Sequence, residues 1–166
     1  SGVFDTTSLA TFALTTPDYG LSRFSTLSIQ KQKLAQTADT IDLIRTRIQE
    51  YYREKQRNAL ASDITNFYPR PNPLVASSYK TNDCNNDGWY PLDTTNILTQ
   101  LGLTPAVQGK TAWGGTIFYC ADYDPTQTGA AYVDTPPHFA ALRLLTNPSS
   151  GGSATATNAT ATVIPL

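Results

Sequence analysis

Few residues of this 166-residue chain have a type and spacing that could do chemistry. Asp83-Cys84-Asn85-Asn86-Asp87-Gly88 follows the first half of a calcium loop, with oxygen ligands at positions one, three and five and glycine at six for the sharp turn. Position twelve is Thr94, so the bidentate carboxylate that completes such a loop is missing. A metal-free turn rich in Asn and Asp is the preferred reading over calcium on Asp83, Asn85 and Asp87. Asp122 and Asp124 stand two apart, as an acid/base pair or two metal ligands would, but exposed hairpin aspartates give the same spacing. His138 is the single histidine and follows Pro136-Pro137, and no Gly-x-Ser-x-Gly accompanies it, so a hydrolase built on Asp122, Asp124 and His138 is not expected. The stretch from Gly109 to Gly115 lacks the Gly-Lys-Ser/Thr ending of a phosphate loop. No catalytic residue, metal or cofactor is expected.

Cys84 and Cys120 are the only cysteines. An even pair in a chain rich in Thr, Ser and Asn fits one disulfide in an oxidising compartment, with two separate buried thiols as the alternative. Closing a loop of that size contributes about 3 to 4 kcal/mol in the chain-entropy treatment.

The net charge of -1 and the lack of a dense basic block interleaved with aromatics point away from nucleic acid as a partner. The charge is segregated, because residues 21–57 hold eight Lys or Arg against four Asp or Glu and the remainder holds four against nine. Contacts between copies would exploit that asymmetry, although a solvated polar helix face also produces it. No apolar run approaches the roughly 18 to 20 residues that cross a bilayer. The chain has no Met, and Ser1-Gly2 reads as a pair left by cleavage, so a segment is expected upstream.

The dominant element is a predicted helix over residues 21–60. Leu21 to Arg57 contains no Gly or Pro, and Leu27, Leu34, Ile41 and Ile48 recur every seven residues, with Ile44 and Tyr51 three residues after Ile41 and Ile48. At about 1.5 Å per residue such a helix spans roughly 55 Å, against a radius of gyration near 15 Å for a compact chain of this length. Its C-terminal half is therefore expected on the sheet, with its N-terminal half projecting.

Residues 1–20 read as an extension in which Ser8 to Leu14 makes a short helix. Residues 61–92 read as a connector, since Tyr68-Pro69-Arg70-Pro71-Asn72-Pro73 forbids helix. Over 93–146, Asp93-Thr94-Thr95 should cap a short helix through Ile97, Leu98 and Leu101, which Gly102 stops. Strand patterns follow at 116–120, 130–133 and 139–145. Residues 147–166 read as a flexible segment, with Thr162-Val163-Ile164 able to add an edge strand. The expected fold is α+β, one long N-terminal helix packed on a small antiparallel β-sheet.

This order resembles the soluble part of a type IV pilin or pseudopilin. The resemblance is carried by Ile48-Gln49-Glu50-Tyr51-Tyr52 at the helix end, Asn66-Phe67-Tyr68-Pro69, Gly88-Trp89-Tyr90-Pro91, and Ala112-Trp113-Gly114-Gly115-Thr116-Ile117-Phe118-Tyr119. It covers roughly residues 21–146. In that family a Trp-Gly pair commonly opens the first sheet strand. The resemblance implies a filament subunit without enzymatic activity, placed at the cell surface or, before assembly, on the periplasmic side of the inner membrane. Its partners would be other copies or related pilin subunits, and it would meet the membrane only through an apolar helix upstream. Leu27, Leu34, Ile41, Ile44 and Ile48 would form the assembly helix, and the cysteines resemble the pair that pins the C-terminal loop of many pilins. Residues 3–20 are more polar than the family's buried helix, and Cys84 lies earlier than the usual pair. The alternative from the same residues is a secreted or surface-exposed binding module that meets a receptor and has no filament role.

Overall fold

Residues free of helix breakers do form one continuous helix. In a computed structural model, which describes residues 23–58, 68–71, 89–123, 139–145 and 161–166, α1 runs Arg23–Asn58 over 36 residues. Lys55 and Arg57 in its last turn complement the negative end of the helix dipole. The expected short helix at 8–14, the strand at 130–133 and the loop at 83–88 lie outside the described residues.

The sheet has four strands: β1 (Tyr90–Pro91), β2 (Ile117–Tyr123), β3 (Phe139–Leu145) and β4 (Ala161–Pro165). All neighbours are antiparallel and the spatial order equals the chain order, a plain meander. The fold is thus α+β. Two boundaries differ from expectation. The connector predicted over 61–92 ends in β1, where Tyr90 and Pro91 pair with Tyr119 and Phe118. Proline has no N–H to give a ladder, so it is tolerated here because β1 is an edge strand, and the next donor, Leu92 N–H, reaches Ile117 O at 2.9 Å. At the other edge, the strand allowed at Thr162-Val163-Ile164 does form and is longer by one residue at each end, within the segment otherwise read as flexible. Ala161 to Pro165 pair with Leu145 to Ala141, and Leu166 N–H donates to Ala140 O at 2.8 Å.

Alternation along the strands sorts two apolar layers. Ile117, Tyr119, Ala121, Ala140, Leu142, Leu144 and Ile164 join Ile41, Ile44 and Ile48 of α1 in the main core. Phe118, Cys120 and Ala141 point to the opposite face and cluster with Trp89. Residues 117–121 of β2 and 140–144 of β3 are buried on both faces, which is why these stretches read as largely apolar runs. A one-residue register shift falls between Cys120 and Tyr123.

Between β1 and β2 lie two single turns of helix, α2 (Ile97–Gln100) and α3 (Pro105–Gln108). The expected cap at Asp93-Thr94-Thr95 is displaced to Asn96, whose side chain makes no cap hydrogen bond. Asp93 is drawn elsewhere, since its Oδ2 accepts from Thr116 Oγ1 at 3.0 Å and ties this turn to the start of β2. Gly102 stops α2 as expected, at φ 74°, with Leu103 N–H returning to Leu98 O at 2.8 Å. α3 was not expected. It starts at Pro105, whose fixed φ suits a first helical position.

One polar atom pair fixes how α1 sits. Thr37 is fully buried and its Oγ1 accepts from Ala112 N–H at 3.1 Å, across 75 residues of sequence. Thr37→Val keeps the shape but strands that amide. Denaturant unfolding should therefore show a loss of about 1 to 3 kcal/mol, and a loss below about 0.3 kcal/mol would mean water or a shifted backbone satisfies it.

Candidate assembly helix

The heptad stripe divides along its length. Ile41, Ile44 and Ile48 are buried against β2 and β3, Leu34 packs on the core while half-buried, and Leu27 is 50% exposed. At about 1.5 Å per residue, the stretch from Thr37 to Ile48 that holds the buried positions covers roughly 17 Å of the roughly 54 Å that 36 residues span. From Leu27 to Gln36 no residue of α1 is buried.

The other end of α1 is held by aromatic and polar contacts. Tyr51 packs on the core, Lys55 Nζ lies 5.3 Å from its ring centre, and the rings of Tyr52 and Tyr68 are 5.2 Å apart. Tyr68 belongs to the proline connector, whose Arg70 carbonyl accepts from Gln100 Nε2 at 2.7 Å. The connector is thereby fixed to both α1 and α2. Trp113-Gly114 sits in the turn ahead of β2, with Trp113 in the main core and Gly114 at φ 88°.

On the far face of the sheet, Arg143 is fully buried. Its guanidinium carbon lies 4.8 Å from the Trp89 ring centre and 5.3 Å from that of Phe118. The faces of these rings attract a cation, by about 2 kcal/mol where water is excluded. Burial nevertheless lowers the Arg143 pKa from the usual arginine value to about 10. Because the folded value lies below the unfolded one, the cost of burying the charge is fully present below pH 10. It is relieved as pH rises from about 10 toward the usual arginine value, where the unfolded chain holds the proton and the folded chain has released it. The stability of the chain relative to its Arg143→Met variant should therefore rise with pH across that window and stay level below it. Paired unfolding curves measure this, and a difference that stays constant to pH 12 would refute it.

Among the other expected site residues, Cys120 is buried beside Trp89 and Phe118 and is not a free thiol. Cys84, Asp83, Asn85, Asp87, Asp124 and His138 lie outside the described residues, and Asp122 is placed on β2 by its backbone. Among the described residues no group of His, Cys, Asp or Glu could hold a metal ion, and no helix is long and apolar enough to cross a membrane. Two positions of consequence were missed. Thr37 lies on the apolar stripe, three residues after Leu34 and four before Ile41, and Arg143 is the one charge inside the apolar run 139–145. In both, a polar residue at a core position was the available signal. No protein-family model, curated protein or solved structure matches the chain.

Proposed function

We propose that this chain is a structural subunit of a type IV pilus or a related secretion or uptake pseudopilus, major or minor, which assembles through its long helix with other copies or related pilin subunits. One observation carries the reading. A single apolar stripe is buried at Ile41, Ile44 and Ile48 and emerges at Leu27, on a 36-residue helix that its own core covers over only part of its length. A helix that outruns its own core presents that side to something else, and a neighbouring helix of the same kind is the simplest match. The antiparallel meander behind the helix is the head that such a subunit displays. The proposed location is the cell surface, or the periplasmic side of the inner membrane before assembly. A Cys84–Cys120 bond suits that compartment, and peptide mapping without reduction would remove it by finding Cys84 unmodified or paired otherwise.

The test is expression from the native gene with all upstream sequence, followed by electron microscopy of the cell surface. Filaments containing the chain, lost in Leu27→Asp while the purified variant keeps its melting temperature, support the reading. A native sequence with an ordinary cleaved signal and no filaments would replace it with a secreted binding module.

A further inference from the structure

The two edges of the sheet are finished differently. β1 is two residues long, and because Leu92 N–H donates to Ile117 O, the alternation of an antiparallel ladder turns the backbone groups of Pro91 outward. Its outward position has no N–H to offer, which blunts that edge. β4 is five residues long and carries no charged side chain. Leu166 N–H donates to Ala140 O, so the same alternation turns Thr162 and Ile164 inward to Leu144 and Leu142, and turns Ala161, Val163 and Pro165 outward. Natural edges are commonly protected by short length, a charge, a bulge or proline, and β4 has only the proline, at its last residue. The N–H groups of Ala161 and Val163 and the carbonyls of all three outward residues thus form a row that no strand pairs among the described residues.

We infer that β4 pairs along this row with β4 of a second copy of this chain, antiparallel and about a two-fold axis, so that two four-stranded sheets become one. A register with Val163 opposite Val163, or with Ala161 opposite Val163, gives every one of these N–H groups a carbonyl of the other copy. Thr162, Val163 and Ile164 are β-branched and the strand is uncharged, so it meets its own copy without like-charge repulsion and with side chains suited to a pleated surface. The far-face layer fits the same occupant. Phe118, Arg143 and Val163 stand side by side across β2, β3 and β4, and Val163 ends the row half-buried. A second β4 lays an apolar side chain, Val163 or Ala161, against that side. A two-fold contact closes on two copies, so this one ties head to head and is separate from the helix contact of assembly. It holds or fails independently of the assembly reading.

Amide hydrogen exchange by NMR, run beside sedimentation velocity on the chain as it stands, tests this. In dilute solution Thr162 and Ile164, held by β3, should exchange slowly, and Ala161 and Val163 freely. As concentration rises, the latter two should become protected in step with the appearance of a dimer. No charge takes part, so the dimer affinity should change less than about twofold between about 0.02 and 0.5 M salt. Val163→Pro and Ala161→Pro each remove an outward N–H and no bond to β3, and each should weaken the dimer about tenfold or more while the monomer stays folded by circular dichroism. Ala161 is the first residue of its strand, where proline is best tolerated, so it keeps the test valid should Val163→Pro unfold. Val163→Thr, which keeps the N–H, should dimerise as the parent does. A chain that stays monomeric up to about 1 mM would overturn the inference. So would Ala161 and Val163 amides already protected in the monomer, or a dimer indifferent to both prolines. Loss of the dimer in Leu27→Asp would assign the association to α1 and overturn the inference while leaving the assembly reading intact.

Discussion

Ile44→Ala is expected to lower the unfolding free energy by about 2 to 5 kcal/mol, whereas Leu27→Ala should change it by less than about 0.5 kcal/mol. Both residues belong to the apolar stripe of α1, so helix propensity and sequence pattern alone would rank them as equals. The structure separates them. Ile44 has no exposed surface and sits in one cluster with Ile117, Tyr119 and Leu142, so truncation leaves a hole that a close-packed helix-on-sheet layer fills poorly. Leu27 lies beyond the sheet and gives up little of its own fold on truncation. Chemical denaturation of the two variants at a concentration where the chain is monomeric measures the contrast. Equal losses at the two sites would mean that the overhang is packed in solution, and the proposed assembly surface would vanish with it.

Gly109→Ala should be the most damaging single methyl group added to the region between β1 and β2. The backbone of Gly109 has φ -79°, which any residue adopts, so its conformation does not require glycine. Proximity does. A Cβ there would lie 2.6 Å from both Cα and N of Asp93 and closer still to the carbonyl oxygen of Pro105. All are backbone atoms, and none can swing aside as a side-chain tip would. The same residue accepts from Ile117 N–H at 3.0 Å through its carbonyl, so displacing it pulls on the first residue of β2. Overpacking of this kind costs about 1 to 3 kcal/mol and more where the backbone is fixed on both sides, and the upper end is expected. Gly114→Ala is the useful comparison, because a Cβ there meets nothing within 4 Å and the strain comes from φ 88° alone. A Gly109→Ala protein that unfolds within about 0.5 kcal/mol of the parent would show that α3 shifts freely from Asp93.

How much of this was legible beforehand follows from the range of each signal. The helix was readable because its pattern repeats over five turns and more without a breaker, and Gly102 was readable as a stop because a positive φ is a local demand. The strands were readable as apolar runs at 116–120 and 139–145, the first stopping short of the three further residues that β2 continues to Tyr123. β1 was not, since two residues, one of them proline, carry no periodicity, and they become a strand only because Tyr119 and Phe118 offer an edge. Asp93 was misassigned to capping for a related reason. Its hydrogen bond goes to Thr116, 23 residues on, and no local window holds both. Thr37 and Arg143 were legible as anomalies but not as roles, because Ala112, Trp89 and Phe118 come to them only through the tertiary fold. Of the residues proposed for assembly, Ile41, Ile44 and Ile48 are buried, Leu34 is half-buried and Leu27 is exposed, and the point along the helix where burial begins was not readable from the heptad pattern.

The meander lies wholly downstream of the helix it seats, and this gives the ribosome an awkward order of events. Ile41, Ile44 and Ile48 are made first, and the strands that bury them end with β4, more than a hundred residues later. At typical elongation rates the stripe waits on the order of ten seconds for its cover. A helix in a folded protein owes most of its stability to the packing of its apolar face, so during that interval α1 is a nascent, sticky segment rather than a finished element. A chain arrested before β2 would carry the whole adhesive stripe and none of its seat. Truncated or slowly completed copies are therefore the ones that chaperones meeting the nascent chain should be found holding.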